Sequence, residues 1–303
     1  MPLNGVRVLD LSRLLPGAYC TQLLQKQGAE VTKIESPTGD PIRALPAGET
    51  YFDALHRGQP ILTLDLRTEH GRELLRRRVV DADVLVEGFR PGVMERREVG
   101  YGSLSAINPA LIYCAITGYG SSGQLARRAG HDLNYLARSG ALSLMPLADD
   151  RPAIPGLQVA DLAGGLQAAF LIAAALADRS RTGRGSRVEV SMTDLMRSWT
   201  ILPRAARRAG VAGLPLTGEA PCYHVYQVAD GYVTVAALEV DFWAAFCRVI
   251  DRADLISRQF DPSAVGEVQQ ILEPAARAEW AARFGDADVC VEPVLGLEES
   301  EGN

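Results

Sequence analysis

Apolar positions in the first half of the chain fall in short runs, Val6–Leu11, Val31–Ile34, Ile61–Leu64, Val84–Glu87 and Leu111–Ile116, the last three apolar on both faces rather than alternating. Such runs predict strands of a parallel sheet covered on both sides. Between them the period lengthens to that of a helix over Pro16–Gln27, closed by Gly28 where a left-handed cap is wanted, and again over Gly71–Val80. Helix Val159–Asp178 and strand Arg187–Val190 continue the alternation, joined by the basic, glycine-rich turn Arg181–Gly185. Strand–helix alternation of this kind predicts a Rossmann-like α/β large domain over residues 1–191.

The pattern then changes. An arginine-rich helical stretch, Met192–Ala209, runs into Gly210–Gly218, and together residues 192–218 are expected to link two domains. Beyond it, Tyr223–Val228 and Tyr232–Ala236 flank Asp230-Gly231, a hairpin signal because that pair accepts the positive φ of a tight turn. Helices over Asp241–Ile250 and Glu279–Phe284 and a strand over Val289–Val294 complete a smaller α+β domain, residues 219–303.

Bulk properties narrow the class. The 303 residues carry 31 Lys plus Arg against 37 Asp plus Glu, so the net charge of −6 repels a nucleic-acid backbone and that partner is not expected. Cys20, Cys114, Cys222, Cys247 and Cys290 form no CxxC or Cys/His cluster, which argues against a metal site or a disulfide framework. Met1–Leu9 lacks the basic flank and apolar run of a signal peptide, so a cytoplasmic protein is expected. Leu157–Ala177 is long enough to suggest a membrane span, but Gln158, Asp161 and Gln167 interrupt it, and a buried helix is expected instead.

After the first strand a dinucleotide fold places GxGxxG; here the segment reads Asp10-Leu11-Ser12-Arg13-Leu14-Leu15-Pro16-Gly17, which weakens nicotinamide and flavin readings. Arg57, Arg67, Arg90 and Arg96 fall near strand ends, and as a set they suit a ligand with several phosphates, although each alone reads equally as a solvated surface arginine. Three segments carry ionisable groups where an inert sequence would not: Gly130-His131-Asp132-Leu133-Asn134-Tyr135, Val159-Ala160-Asp161-Leu162-Ala163-Gly164-Gly165 and Ala236-Ala237-Leu238-Glu239. His131 could simply begin a helix, Asp161 could cap one, and Glu239 could be a solvated loop acid. Gly164 and Gly165 weaken a helix by roughly 1 kcal/mol each, and close approach of a ligand is the expected reason for them.

Taken jointly, these segments resemble the family III CoA-transferase superfamily, which includes α-methylacyl-CoA racemases. The resemblance runs through Leu3–Ser12, Gly28–Glu35, Asp83–Gly92 and Thr117–Gly120, and Gly130–Tyr135 is similar to the racemase motif in particular. It implies an acyl-CoA thioester as substrate, coenzyme A as part of that substrate with no tightly bound cofactor, and an interlocked homodimer with its active site between the large and small domains. It implies further that Asp161 is the transferase nucleophile or a racemase acid/base, that His131 is the opposing base, and that Glu239 supports that histidine. Leu64, Asp65, Leu66, Arg67, Gly88, Phe89, Arg90, Arg96, Gly130, Asp132, Asn134 and Tyr135 coincide with CoA-contacting segments, and Arg57 joins them as a phosphate candidate.

Racemisation needs a base on each face of the α-carbon, and the His131/Asp161 pair supplies two, whereas acyl transfer needs one nucleophilic carboxylate and no histidine. Leu216–Pro221, with one glycine, lacks the glycine-rich lid of formyl-CoA-type transferases. Racemase-like α-proton chemistry is therefore the leading expectation, with CoA transfer second. A non-catalytic CoA-binding homologue is third, because relatives continue well past residue 295, Ser36 replaces a basic residue and Leu125 a common proline.

Overall fold

Short runs apolar on both faces need cover on both sides, and that requirement organises the first half of the molecule. The computed structural model describes residues 1–211, 216–285 and 287–301, divided into two compact units, Met1–Ile201 and Leu202–Asn303. In the first unit β1 (Arg7–Leu11) leads through α1 (Leu14–Lys26) to β2 (Glu30–Glu35), then through α2 (Gly48–His56) to β3 (Ile61–Thr63). Helix α3 (Glu69–Val79) returns to β4 (Val84–Glu87), and α4 (Val93–Arg96) and α5 (Tyr101–Ile107) precede β5 (Ile112–Thr117). Helices α6 (Asp132–Ser139) and α7 (Val159–Thr182) lead to β6 (Arg187–Ser191) and α8 (Met192–Trp199).

All six strands are parallel, in the order β3-β2-β1-β4-β5-β6, so the order reverses between β1 and β4. Alternate side chains feed two cores. Val8, Val84, Val86, Ile112 and Cys114 face α1 and α7, while Leu9, Leu11, Leu85, Tyr113 and Ala115 face α3 and α5. Central strands β4 and β5 are buried throughout, and each buried Val, Leu or Ile there contributes roughly 1.5–3 kcal/mol. Helix α7 is the one helix among the described residues long and apolar enough to cross a bilayer, yet Ala160, Ala163, Gly164, Gly165, Ala168 and Ile172 are buried within this unit.

Gly164 and Gly165 correct an expectation. A Cβ on Gly165 would lie 2.4 Å from Pro16 O in α1, and one on Gly164 would lie 2.7 Å from the Met192 side chain. These glycines admit neighbouring protein, not a ligand. The arginine-rich stretch expected as one helix is two, α8 and α9 (Ile201–Arg208), separated at Thr200. Pro203 accounts for the break, since its ring clashes with the carbonyl of residue 199 in a continuous helix.

In the second unit β7 (Tyr223–Val228), β8 (Gly231–Ala236) and β9 (Val291–Pro293) form an antiparallel sheet, with α10 (Val240–Val249), α11 (Val265–Leu272) and α12 (Arg277–Phe284) around Trp243, Phe246 and Trp280. The Asp230-Gly231 hairpin is present, with Gly231 paired to Val228. Strand β9 is shorter than the expected Val289–Val294 because Cys290, at φ +51°, leaves the extended region. Of the expected linker, residues 212–215 lie outside the described residues.

Candidate active site

Where strand order reverses, the loops leaving β1 and β4 diverge and open a crevice at the carboxyl ends of the strands. A cavity of about 320 Å³ occupies it, lined by residues that follow β1 (Ser12, Arg13), β4 (Gly88, Phe89, Arg90) and β5 (Gly118, Tyr119), and by Gly130, His131, Tyr135 and Asp161. A second cavity, about 200 Å³, is lined by Lys33, Leu64, Asp65, Leu66, Arg67 and Arg97 among others; Ser12, Arg13 and Phe89 belong to both walls.

The shared corner is held from below. Lys33, fully buried on β2, donates to Ser12 O at 2.7 Å and lies 3.3 Å from Asp40 Oδ2 and 3.7 Å from Asp10 Oδ2. Asp40 accepts the Leu14 N–H at 3.1 Å, and Asp10 accepts the Ser12 N–H at 2.8 Å. Leu14 has φ +62°, a conformation unfavourable for a bulky residue, so these bonds fix a turn the chain would not adopt unaided. On β4, Glu87 accepts the Phe89 N–H at 2.6 Å and the Tyr113 hydroxyl at 3.3 Å, while burial pushes its pKa up to about 7.

Cationic charge gathers over this corner. The Arg13 and Arg97 guanidiniums lie 4.8 and 5.7 Å from the centroid of the Phe89 ring. Among the described residues Arg13, Arg90, Arg97 and Arg128 make no ion pair within 4 Å, although the Arg97 charge is felt by Asp65, and each lines one or both cavities. Arg67 is different: it holds Asp65 through two bonds of 2.8 and 2.9 Å, which lower the Asp65 pKa to about 2. Four guanidiniums free of close ion pairs on two adjoining cavities suit a ligand with more than one phosphate.

The anionic chemistry comes from the first turn of α7. Asp161 is half-buried, and among the described residues no donor bonds its carboxylate. Burial first, and then the nearby Asp132 charge, push its pKa up to about 7. The capping duty that Asp161 might have performed belongs to Asp132, whose Oδ1 accepts the N–H groups of Ala160 at 2.7 Å and Asp161 at 3.0 Å. His131 is exposed on the same cavity wall at the start of α6, its N–H bonded to Asn134 Oδ1 at 3.0 Å. The Tyr135 hydroxyl donates to Gly130 O, and its ring fits because a Cβ on Gly118 or Gly130 would lie 2.3 or 2.8 Å from it. Burial and the Asp161 charge raise the Tyr135 pKa well above that of an ordinary phenol.

The structure thus brings His131 and Asp161 to one cavity, together with Gly88, Phe89, Arg90, Gly130 and Tyr135, and places Leu64, Asp65, Leu66 and Arg67 on its neighbour. Other candidates in the first unit line neither cavity. Arg57 follows α2 with its carbonyl bonded by Gln25, and exposed Arg96 lines neither cavity; Arg97, one residue on, does. Asp132 and Asn134 spend their side chains on helix ends rather than on the cavity wall. Glu239 precedes α10 in the second unit, exposed, its carbonyl accepting the Trp243 N–H at 3.0 Å. Arg13, Arg97 and Arg128 escaped sequence reading; for Arg13 the available signal was its position directly after β1, where doubly wound folds bind phosphate.

Fold and site define a doubly wound α/β protein with a polar, arginine-rimmed cavity at its switch point and a carboxylate of raised pKa inside. The chain belongs to CoA-transferase family III, whose sequence profile matches residues 3–301. It is 36% identical over 312 residues to the human alpha-methylacyl-CoA racemase, covering 99% of this chain and 79% of that protein. To the mouse succinyl-CoA:glutarate CoA-transferase it is 33% identical, over 84% of this chain and 61% of that one. The crystal structure of a CAIB/BAIF family protein from Brucella suis superposes with a TM-score of 0.86 at 30% identity, covering all of this chain and 86% of the other.

Proposed function

We propose that this chain binds an acyl-CoA thioester across the two adjoining cavities and epimerises a 2-methylacyl group by α-proton transfer between Asp161 and His131. One observation carries the reading: an unpaired carboxylate with a pKa lifted to about 7 shares a cavity with an exposed imidazole. A carboxylate of ordinary acidity is too weak a base for an α-proton, and burial raises the basicity of Asp161. One group removes the α-proton from the thioester, and the other returns a proton to the opposite face of the enolate. Arg13, Arg90, Arg97 and Arg128 would hold the phosphates, coenzyme A entering only as part of the substrate.

A second reading draws on the same carboxylate and on the transferase relative. With no hydrogen bond to quench it, Asp161 can attack the thioester carbonyl, releasing CoA thiolate and leaving a mixed anhydride. CoA thiolate then attacks the aspartyl carbonyl of that anhydride, releasing the first acid as its carboxylate and leaving an aspartyl-CoA thioester. The acceptor carboxylate displaces CoA thiolate to form a second anhydride, and the thiolate attacks its acyl carbonyl, giving the new CoA ester and free Asp161. Incubation with a chiral 2-methylacyl-CoA in deuterated water, with and without an acid acceptor, separates the two. Deuterium at the α-carbon with epimerisation is expected; an unlabelled new CoA ester would establish transfer instead. His131→Ala should abolish labelling and spare most transfer, and Asp161→Asn should abolish both; equal loss of both activities in His131→Ala defeats the role given to His131.

Assembly and location belong to the same reading. We place the protein in the cytoplasm as a homodimer. Its five cysteines are free thiols, and α7 carries Leu166 and Phe170 on one face, 52% and 65% exposed, where a second copy would cover them.

A further inference from the structure

The first turn of a helix has N–H groups with no intrahelical acceptor, and where they are buried something must satisfy them. In α7 the Val159 N–H bonds Leu157 O at 3.0 Å, and Leu162 begins the helical ladder on Gln158 O at 2.9 Å. The two donors between them, Ala160 and Asp161, both go to Asp132 Oδ1, at 2.7 and 3.0 Å. Gln158, at the N-cap position, contributes no side-chain bond. Asp132 is itself the first residue of α6 and adjoins His131. One carboxylate therefore sits at the positive ends of two helix dipoles, and it ties the segment bearing the imidazole to the turn bearing the acid.

We infer that Asp132 is the positioning residue of this site: capping α7 from the start of α6, it sets Asp161 against His131 and leaves the Asp161 carboxyl free of structural duty. The inference rests on reading Asp161 as the reacting group. Asp132 also contributes to the raised pKa of Asp161, after burial. Arg13, Arg90, Arg128, Tyr119, Tyr135 and His131 line the same cavity as Asp161, and Asp132→Asn removes the charge of none of them.

Two variants separate geometry from charge. Asp132→Asn keeps an oxygen that can accept both N–H groups and removes the negative charge; Asp132→Ala removes both. In ligand-free protein, amide hydrogen exchange at Ala160 and Asp161 should stay within about threefold of the parent in Asp132→Asn and accelerate about tenfold in Asp132→Ala, the loss expected for a helix cap. The Asp161 carboxyl, followed by carbon NMR, should titrate about half a unit to one unit lower in Asp132→Asn. With substrate, Asp132→Ala should lower kcat about tenfold or more at a KM within about twofold of the parent. Asp132→Asn should keep most of kcat while the rising limb of its pH profile moves down with the Asp161 titration.

Unchanged exchange in Asp132→Ala, or an unmoved Asp161 titration in Asp132→Asn, would overturn the inference. So would an Asp132→Asn enzyme as impaired as Asp132→Ala with its pH limb in place, the mark of a merely structural residue. If the ligand-free results hold and the parent protein turns over no CoA thioester, the cap stands and the proposed reaction fails.

Discussion

At the scale of single residues, the cost of Asp161 to the fold is measurable. Its pKa rises from an ordinary 3.8 to about 7 on folding, so between those values the folded chain holds a proton that the unfolded chain has lost. Stability from this group is present at low pH and is lost as pH rises through that window. Asp161→Asn should therefore melt higher than the parent at pH 8 and no differently near pH 4; thermal melts at the two values check it, and equal melting at pH 8 would contradict the assigned burial. Sequence made this aspartate visible because an ionisable side chain is uncommon inside an apolar helical pattern, and singled out His131 through the resemblance of Gly130–Tyr135 to a racemase motif. It did not reveal what Asp132 does, since a cap supplied from 28 residues away exists only once α6 and α7 meet. Arg13 and Arg97 were missed for a related reason: an arginine's usefulness depends on which strands are neighbours, and strand order is not written locally.

At the scale of elements, glycines separate packing from propensity. Gly165→Ala puts a methyl group 2.4 Å from Pro16 O, where α1 must shift, and should cost about 1–3 kcal/mol in urea denaturation. Gly102, in α5, has open space around its missing Cβ, so Gly102→Ala should instead add about 0.5–1 kcal/mol from helix propensity. Equal effects at the two positions would refute the close α1–α7 contact. The alternation of β4, β5 and their helices was legible because burial on both faces writes itself as continuous apolar runs. Helices α2 and α5 were not, since each is short and holds a narrow apolar stripe: α2 buries Phe52 and His56, and α5 only Leu104.

At the scale of the whole molecule, the proposed dimer predicts a mass and a surface that holds it. Sedimentation equilibrium should give a mass about twice 32.6 kDa, and charge on the exposed side of α7, Leu166→Glu with Phe170→Glu, should return it to one chain. A single 32.6 kDa species for the parent at micromolar concentration would defeat the dimer. The alternation of strands and helices in the first unit could be read from the apolar runs; the sheet order could not, because adjacent apolar runs carry no label of their neighbours. That order has a consequence for synthesis. Strand β1 lies at the centre of the sheet, and its partner β4 pairs it across a gap like the 76 residues between Arg7 and Asp83, whose side chain bonds the Arg7 amide. A chain emerging from the ribosome must therefore carry β1 with one edge bare until β4 arrives, and the apolar α7 is made before the last strand, β6, closes the sheet, which makes the nascent chain a natural client for chaperones.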